Sequence, residues 1–318
     1  MGTVVISADA ELGWGFHDQK DPPADRLAHA RQGWRTLIAL CDEYAIDATW
    51  AIVGHLLLDE CEGRHDEHPM PATWFAHEHG ADAMPPELRY GDGLIDDLQD
   101  ADASHDIGLH TFSHVEFGDS MTTRQIARAE VASGLKLARE RGIQMQSFVF
   151  PRNNIGHLDV LAAYGIECYR GTNPANSQRL SWDDPLGKLT WGTLARKTPP
   201  LIEPTIDSVG LVNIPASLHL FSFEGVPRTV VEPLFGDPIV RQAELGIDAA
   251  TEQDGVFHMW LHPNSITEQR DVERLRTIFS YLDRQRAKTS LTVKTMADIA
   301  TEILAETEEP PATAVERS

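Results

Sequence analysis

Seven runs of this chain carry apolar residues at successive positions, not alternate ones. They are TVVISA (3–8), IDATWAIVG (46–54), HDIGLH (105–110), MQSFVFP (145–151), IECYRG (166–171), GLVNIP (210–215) and GVFHMWLH (255–262). A strand with one wet face alternates polar and apolar side chains. Runs like these leave no wet face, which is the pattern of a parallel sheet covered on both sides. Helical patterns fall between them, at about 26–45, 122–142, 158–165, 237–253 and 268–288. Thr122 or Thr123 can cap the start of the second helix, and Gly142 its end. SLTVKTMADIATEIL (290–304) adds a last strand and helix. Strand followed by helix, repeated, predicts an α/β fold whose sheet is open or closed into a barrel.

The remaining stretches fit around that frame. Residues 60–104 carry Pro69, Pro71, Pro85 and Pro86 and are too long for a plain connection. They read as an insertion with a helix near 92–103. Residues 172–208 read as long loops. The acidic tail, 306–318, is expected to be disordered. A single domain over 1–305 takes up everything else.

The charge balance narrows the partners. Asp and Glu number 49 against 27 Lys and Arg, for a net charge of −22, and only six of the basic residues are lysines. Such a surface repels nucleic acid and anionic membranes, so neither is an expected partner. It suits a salt-rich cytoplasm, where screening quiets self-repulsion. No apolar run is long enough for a membrane span. The start, MGTVVISADAE, lacks the pattern of a secretion signal, and a cytoplasmic location is expected. Cys41, Cys61 and Cys168 form no CxxC pair and read as buried thiols, not as a disulfide framework or zinc knuckle. Nothing here fixes an oligomeric state.

In parallel α/β folds the chemistry sits beyond the carboxyl ends of the strands. Asp9 and Glu11, His110 and His114, Arg152 with Asn153 and Asn154, and His262 all fall at such ends. Two histidines four apart, with one carboxylate, make the donor set of a catalytic metal with an open position. Glu11 or Asp9 can supply the carboxylate. Arg152 is placed to pair with Asp9 and hold it ionised. His262 ends the most apolar strand and suits a general acid. His258, four residues back, reads as a core histidine. His65, His68, His77 and His79 in the insertion are a rival metal set without a strand-end setting.

Together these residues resemble the polysaccharide deacetylase family, the NodB-homology or carbohydrate esterase 4 group, over about residues 3–304. HDIGLHTFSH (105–114) looks like the family's H-[ST]-x-x-H motif, matched by His110, Thr111, Ser113 and His114. ATWAIVG (48–54) is similar to the family's ATFFV-G strand. FVFPRNNIG resembles R-x-P-Y-G, with Arg152 and Gly156 in place and Asn154 and Ile155 where Pro and Tyr are usual. MWLH resembles the motif that ends in the catalytic histidine. The first motif departs from T-F-D-D: Ser7-Ala8-Asp9-Ala10-Glu11 looks like a D-x-E branch, with Glu11 taking the ligand role that Ala10 cannot. Trp182, with Asp183 or Asp184, is the nearest match to an Asp–Trp element.

The resemblance implies a distorted (β/α)7 barrel. It implies a divalent metal, zinc foremost, on Glu11, His110 and His114. Asp9 would be the base, His262 the acid, and Arg152 a catalytic partner. Trp14, Asn153, Asn154, Ile155 and Trp182 would contact a carbohydrate substrate, and the reaction would remove an N-acetyl or other N-acyl group from an amino sugar. The missing secretion signal favours a glycan precursor over a cell-wall polymer. Ala10 leaves open a metal-independent amidohydrolase acting on a small or cyclic amide. A non-catalytic sugar-binding barrel is the third reading, opposed by the intact Asp9, His110, His114, Arg152 and His262.

Overall fold

The computed structural model describes residues 1–78, 83–172 and 198–308. The strands are β1 (Thr3–Ala10), β2 (Thr49–Ile52), β3 (Asp106–Leu109), β4 (Ser147–Phe148), β5 (Cys168–Gly171), β6 (Thr205–Ile206), β7 (Val212–Pro215), β8 (Leu218–His219), β9 (Val256–Leu261) and β10 (Thr292–Lys294). They lie in the order β6-β7-β5-β4-β3-β2-β1-β9-β8, with β10 beside the start of β1. Only β6 among these strands runs antiparallel to its neighbour. β1 is the hub. It pairs with β2 through 7–10, with β9 through 3–8 and with β10 through 3–5.

The sheet curls until its two edges share one piece of chain. β7 pairs with β5, Val212 opposite Cys168. Two residues past the end of β7, the Ser217 N–H donates to the His258 carbonyl at 2.8 Å, and β8 pairs with β9. Residues 212–219 thus bridge both edges, which makes the sheet a distorted barrel of the (β/α)7 kind, in one domain.

Alternation along β1 sorts its side chains between two cores. Val4, Ile6, Ala8 and Ala10 face outward, into the cluster that holds Trp34 and Leu37 of the helix Ala24–Glu43 and Leu275, Ile278 and Phe279 of the helix Gln269–Arg286. Val5 faces inward with Ala51, Val149, Cys168, Val212 and Ile214. Met296, Ile299 and Ala300 of the helix Met296–Glu308 close the amino end of that interior. Above Val5 on the inward face come Ser7 and Asp9, so the barrel is apolar at its floor and polar towards its carboxyl end.

The five expected helices are present, with ends shifted by a few residues. Thr123 caps Arg124–Glu140, accepting from the Ile126 N–H at 3.3 Å, and Gly142 takes φ +72° beyond its end. The helix Met296–Glu308 runs three residues into the expected tail, and 309–318 lie outside the described residues. Among the described residues the insertion holds short pieces: the 3-10 helix Ala72–Glu78 and the helices Pro86–Arg89 and Leu94–Gln99. Among the described residues no helix is long and apolar enough to cross a membrane.

Candidate active site at the carboxyl ends of the strands

Glu11 follows β1 and turns to the same side as Asp9. His110 follows β3. The chain then takes left-handed conformations at Thr111 (φ +56°) and His114 (φ +63°), which fold His114 back over His110. Ser113 pins that turn to the helix Arg124–Glu140: its N–H and Oγ donate to the Glu130 carboxylate at 2.7 and 2.6 Å. The Nε2 atoms of His110 and His114 each lie 3.2 Å from Glu11 Oε1. His110 Nδ1–H donates to the Val149 carbonyl at 2.8 Å, which leaves Nε2 as its ligand atom. All three residues are buried. Two imidazole nitrogens and one carboxylate oxygen at this spacing suit zinc or a similar divalent ion and leave a position open. The stretch DAELGWG serves the same purpose: a Cβ on Gly15 would fall 1.9 Å from Glu11 Oε2.

Arg170, not Arg152, holds Asp9. Arg170 Nη1 and Nη2 donate to the two Asp9 oxygens at 2.5 and 2.7 Å. The guanidinium also donates to Ser7 Oγ (3.2 Å) and Asn153 Oδ1 (3.1 Å), and lies over the Trp260 ring at 4.2 Å. Arg152 instead points outward, to Asp18 at 2.6 Å and Glu116 at 2.8 Å. The reason is placement. Arg170 is a strand residue and faces the barrel interior. Arg152 sits past β4 in a turn, with φ +53°, and its side chain lies on the rim. Burial pushes the Asp9 carboxyl up, but the charge and hydrogen bonds of Arg170 outweigh it and hold Asp9 below the ordinary carboxylate range.

His262 faces both carboxylates. Its Nε2 is 3.5 Å from Glu11 Oε1 and 3.7 Å from Asp9 Oδ2. Burial favours the neutral ring, yet Glu11 and Asp9 together raise its pKa above that of an ordinary histidine. Glu11 is itself held well below its usual value: burial raises it, and His262, His114 and His110 more than reverse that. His219 stacks on Trp260 at 4.1 Å and meets His262 edge-on at 5.6 Å. Burial, with His262 nearby, keeps its pKa well below normal. His258 is a core histidine, as expected. It bonds Ser7 Oγ at 2.9 Å and the Pro215 carbonyl at 3.2 Å, and burial pushes its pKa down to about 3.

No family model matches this chain, and no curated protein matches it by sequence. Solved structures do. A Mycobacterium smegmatis protein assigned to the polysaccharide deacetylases superposes over 99% of this chain and 94% of its own, with TM-score 0.61 at 15% identity. The fold is that of the polysaccharide deacetylases. A GH57-type branching enzyme from Pyrococcus horikoshii also matches, over 95% of this chain and 69% of its own, with TM-score 0.51 at 11% identity. The deacetylase fold therefore has a relative with other chemistry, and function has to be argued from side chains.

Within the deacetylase fold, the expected substrate contacts divide. Trp14 is wholly buried, and its Nε1–H donates to the Arg89 carbonyl at 3.2 Å. Asn153 accepts from Arg170 and so supports Asp9 indirectly. Asn154 donates to Glu116 Oε2 at 2.9 Å, and Ile155 packs against the core. Trp182, Asp183 and Asp184 lie outside the described residues. Arg170, His219 and Trp260 are site residues that sequence reading missed. The available signal for Arg170 was a lone cation inside a strand otherwise fit for burial.

Proposed function

We propose that this chain is a metal-dependent deacylase that hydrolyses an N-acyl group, foremost N-acetyl, on an amino sugar or glycan precursor. The observation that carries the reading is the meeting of His110 and His114 Nε2 at one oxygen of Glu11, beside an Asp9 gripped by Arg170 and facing His262. Glu11, His110 and His114 would hold the ion, with zinc the best match to the donors. When bound, a divalent ion supplies Lewis acidity that polarises a carbonyl and eases loss of a proton from water at neutral pH. Asp9, kept ionised by Arg170, accepts the proton of the attacking water at its carboxylate. Arg170 and Asn153 keep that carboxylate oriented. His262, kept protonated by its two acidic neighbours, gives its Nε2 proton to the leaving nitrogen. His219 and Trp260 brace the ring of His262. The products are a carboxylic acid and a free amine. The shared fold with a protein assigned to the polysaccharide deacetylases supports this reading and a carbohydrate substrate.

The test is acetate release from N-acetylated glucosamine oligomers by the full chain. Release should stop on dialysis against a chelator and return with zinc or cobalt. His110→Ala and His114→Ala should each lose metal and turnover together, since the set has no spare ligand. Turnover that survives both treatments would establish the metal-independent amidohydrolase in its place. Bound metal without acetate release from any N-acetylated sugar would point to a binding barrel.

A further inference from the structure

A second set of metal-type donors lies in the insertion, apart from the candidate active site. His55 sits on the 3-10 turn Gly54–Leu57 just beyond β2. Cys61 and His65 follow on irregular chain, and Glu78 ends the 3-10 helix Ala72–Glu78. His55 Nε2 is 3.0 Å from Glu78 Oε2. His65 Nε2 is 2.9 Å from Glu78 Oε1 and 3.4 Å from Cys61 Sγ. The four residues place one ligand atom each within 4.8 Å of all the others. Donors around a single zinc ion stand roughly 3.3–3.7 Å apart, so small shifts would close these four on one ion. The side chains of His55 and Glu78 are fully buried and that of His65 is 11% exposed.

The surroundings orient these groups as a metal's outer partners do. His55 Nδ1–H faces the Arg89 carbonyl at 3.4 Å, which frees Nε2 for the cluster. The Gly63 N–H points at Cys61 Sγ from 3.3 Å. The Tyr90 hydroxyl bonds the Cys61 N–H at 2.9 Å, and Arg89 Nη1 donates to the Glu78 carbonyl at 2.6 Å. Residues 58–71 contain neither helix nor strand, and a stretch of that kind gains most from a cross-link. Cys61 and His65 are four residues apart, a spacing by which one turn delivers two ligands to zinc. Sulfur and imidazole donors exclude calcium and magnesium, which take oxygen.

We propose that His55, Cys61, His65 and Glu78 form a closed structural site for a zinc-like divalent cation. Four protein ligands leave no position for water, so the ion organises the chain and takes no part in hydrolysis. It would anchor the wall beside His114. Trp14 packs on His55 at 4.4 Å, and Trp74, carried on the same segment, donates to the Ser113 carbonyl at 3.1 Å. Of the insertion histidines singled out in the sequence, His65 is the one among the described residues that joins the set. His68 lies 3.2 Å from Glu130, His77 packs against Trp14 and His17, and His79 is outside the described residues. The site stands independently of the proposed activity.

Cobalt(II) gives a direct readout, because only this site offers it a thiolate. The cobalt-loaded full chain should show a sulfur-to-cobalt charge-transfer band in the near ultraviolet. The band should persist in His110→Ala and vanish in Cys61→Ser. Bound metal should fall by about one ion per chain in Cys61→Ser and in His65→Ala. A second measurement needs no variant: Cys61 in the loaded wild type should resist alkylation and react after chelation, as read by peptide mass. A folded, cobalt-loaded wild type without the band overturns the proposal, as does an unchanged metal count in Cys61→Ser or equal alkylation before and after chelation.

Discussion

Asp9 and Glu11 stand two residues apart on one side of β1, yet their partners set them different tasks. Both Asp9 oxygens are engaged by Arg170, whereas Glu11 Oε1 faces three imidazoles. Asp9→Asn should keep the metal and lower kcat by about 10²–10⁴-fold. Glu11→Ala should weaken metal affinity, with turnover partly restored by excess metal; metal titration against kcat separates the two. The buried Asp9–Arg170 pair also bears on stability. Arg170→Gln should cost about 3–5 kcal/mol in denaturant unfolding, since it strands a buried carboxylate. Arg152→Ala breaks exposed pairs and should cost about 1 kcal/mol or less. The pair's pH dependence has a definite sign. Asp9 has a lowered folded pKa, so its contribution is complete above its unfolded value of about 3.9. It is lost as pH falls through the folded value. Asp9→Asn should therefore flatten the acid limb of stability, measured from about pH 5 to about pH 2. At this scale the meeting of Glu11, His110 and His114 was legible in the sequence, because histidines and acids at strand ends have few other reasons to be there. The partner of Asp9 was not legible. Arg152 follows an apolar run and Arg170 lies within one, but only the facing of each backbone position shows which of them reaches Asp9.

The strands were readable because burial on two faces is written into every position of a run. Their lengths were less so: β4 spans two residues where seven were expected, since the chain leaves the ladder before the turn at Pro151. The helix Val226–Phe235 was missed because Pro227 and Pro233 break its pattern, and β6 and β8 are too short for any period to show. The insertion was recognised by its prolines, but its donors come from three separate pieces, and His55 lies just outside it. The helix Arg124–Glu140 shows how an element reaches the site without touching it, through Glu130 and the Ser113 turn. Thr123→Ala should remove its cap and cost about 1 kcal/mol in urea unfolding. A change below a few tenths of a kcal/mol would mean that packing alone holds this helix end.

For the molecule as a whole, the net charge of −22 is the dominant long-range term. Self-repulsion weakens as the screening length shrinks from about 10 Å at 0.1 M salt to about 3 Å at 1 M. The melting temperature should rise from low to molar KCl; a flat or falling curve would sink the salt-adapted reading. Fold class was legible at this scale because it depends on the repeat of strand and helix. Closure was not, because it rests on residues 212–219, where one stretch serves two edges. The central place of β1 bears on how the protein is made. Two of its partners, at 256–261 and 292–294, lie far along the chain from it. The β2 side of β1 closes over a much shorter stretch of chain. Closure on the β9 and β10 side therefore waits on long-range pairing, and that edge of β1 is the one open to mispairing while the chain folds.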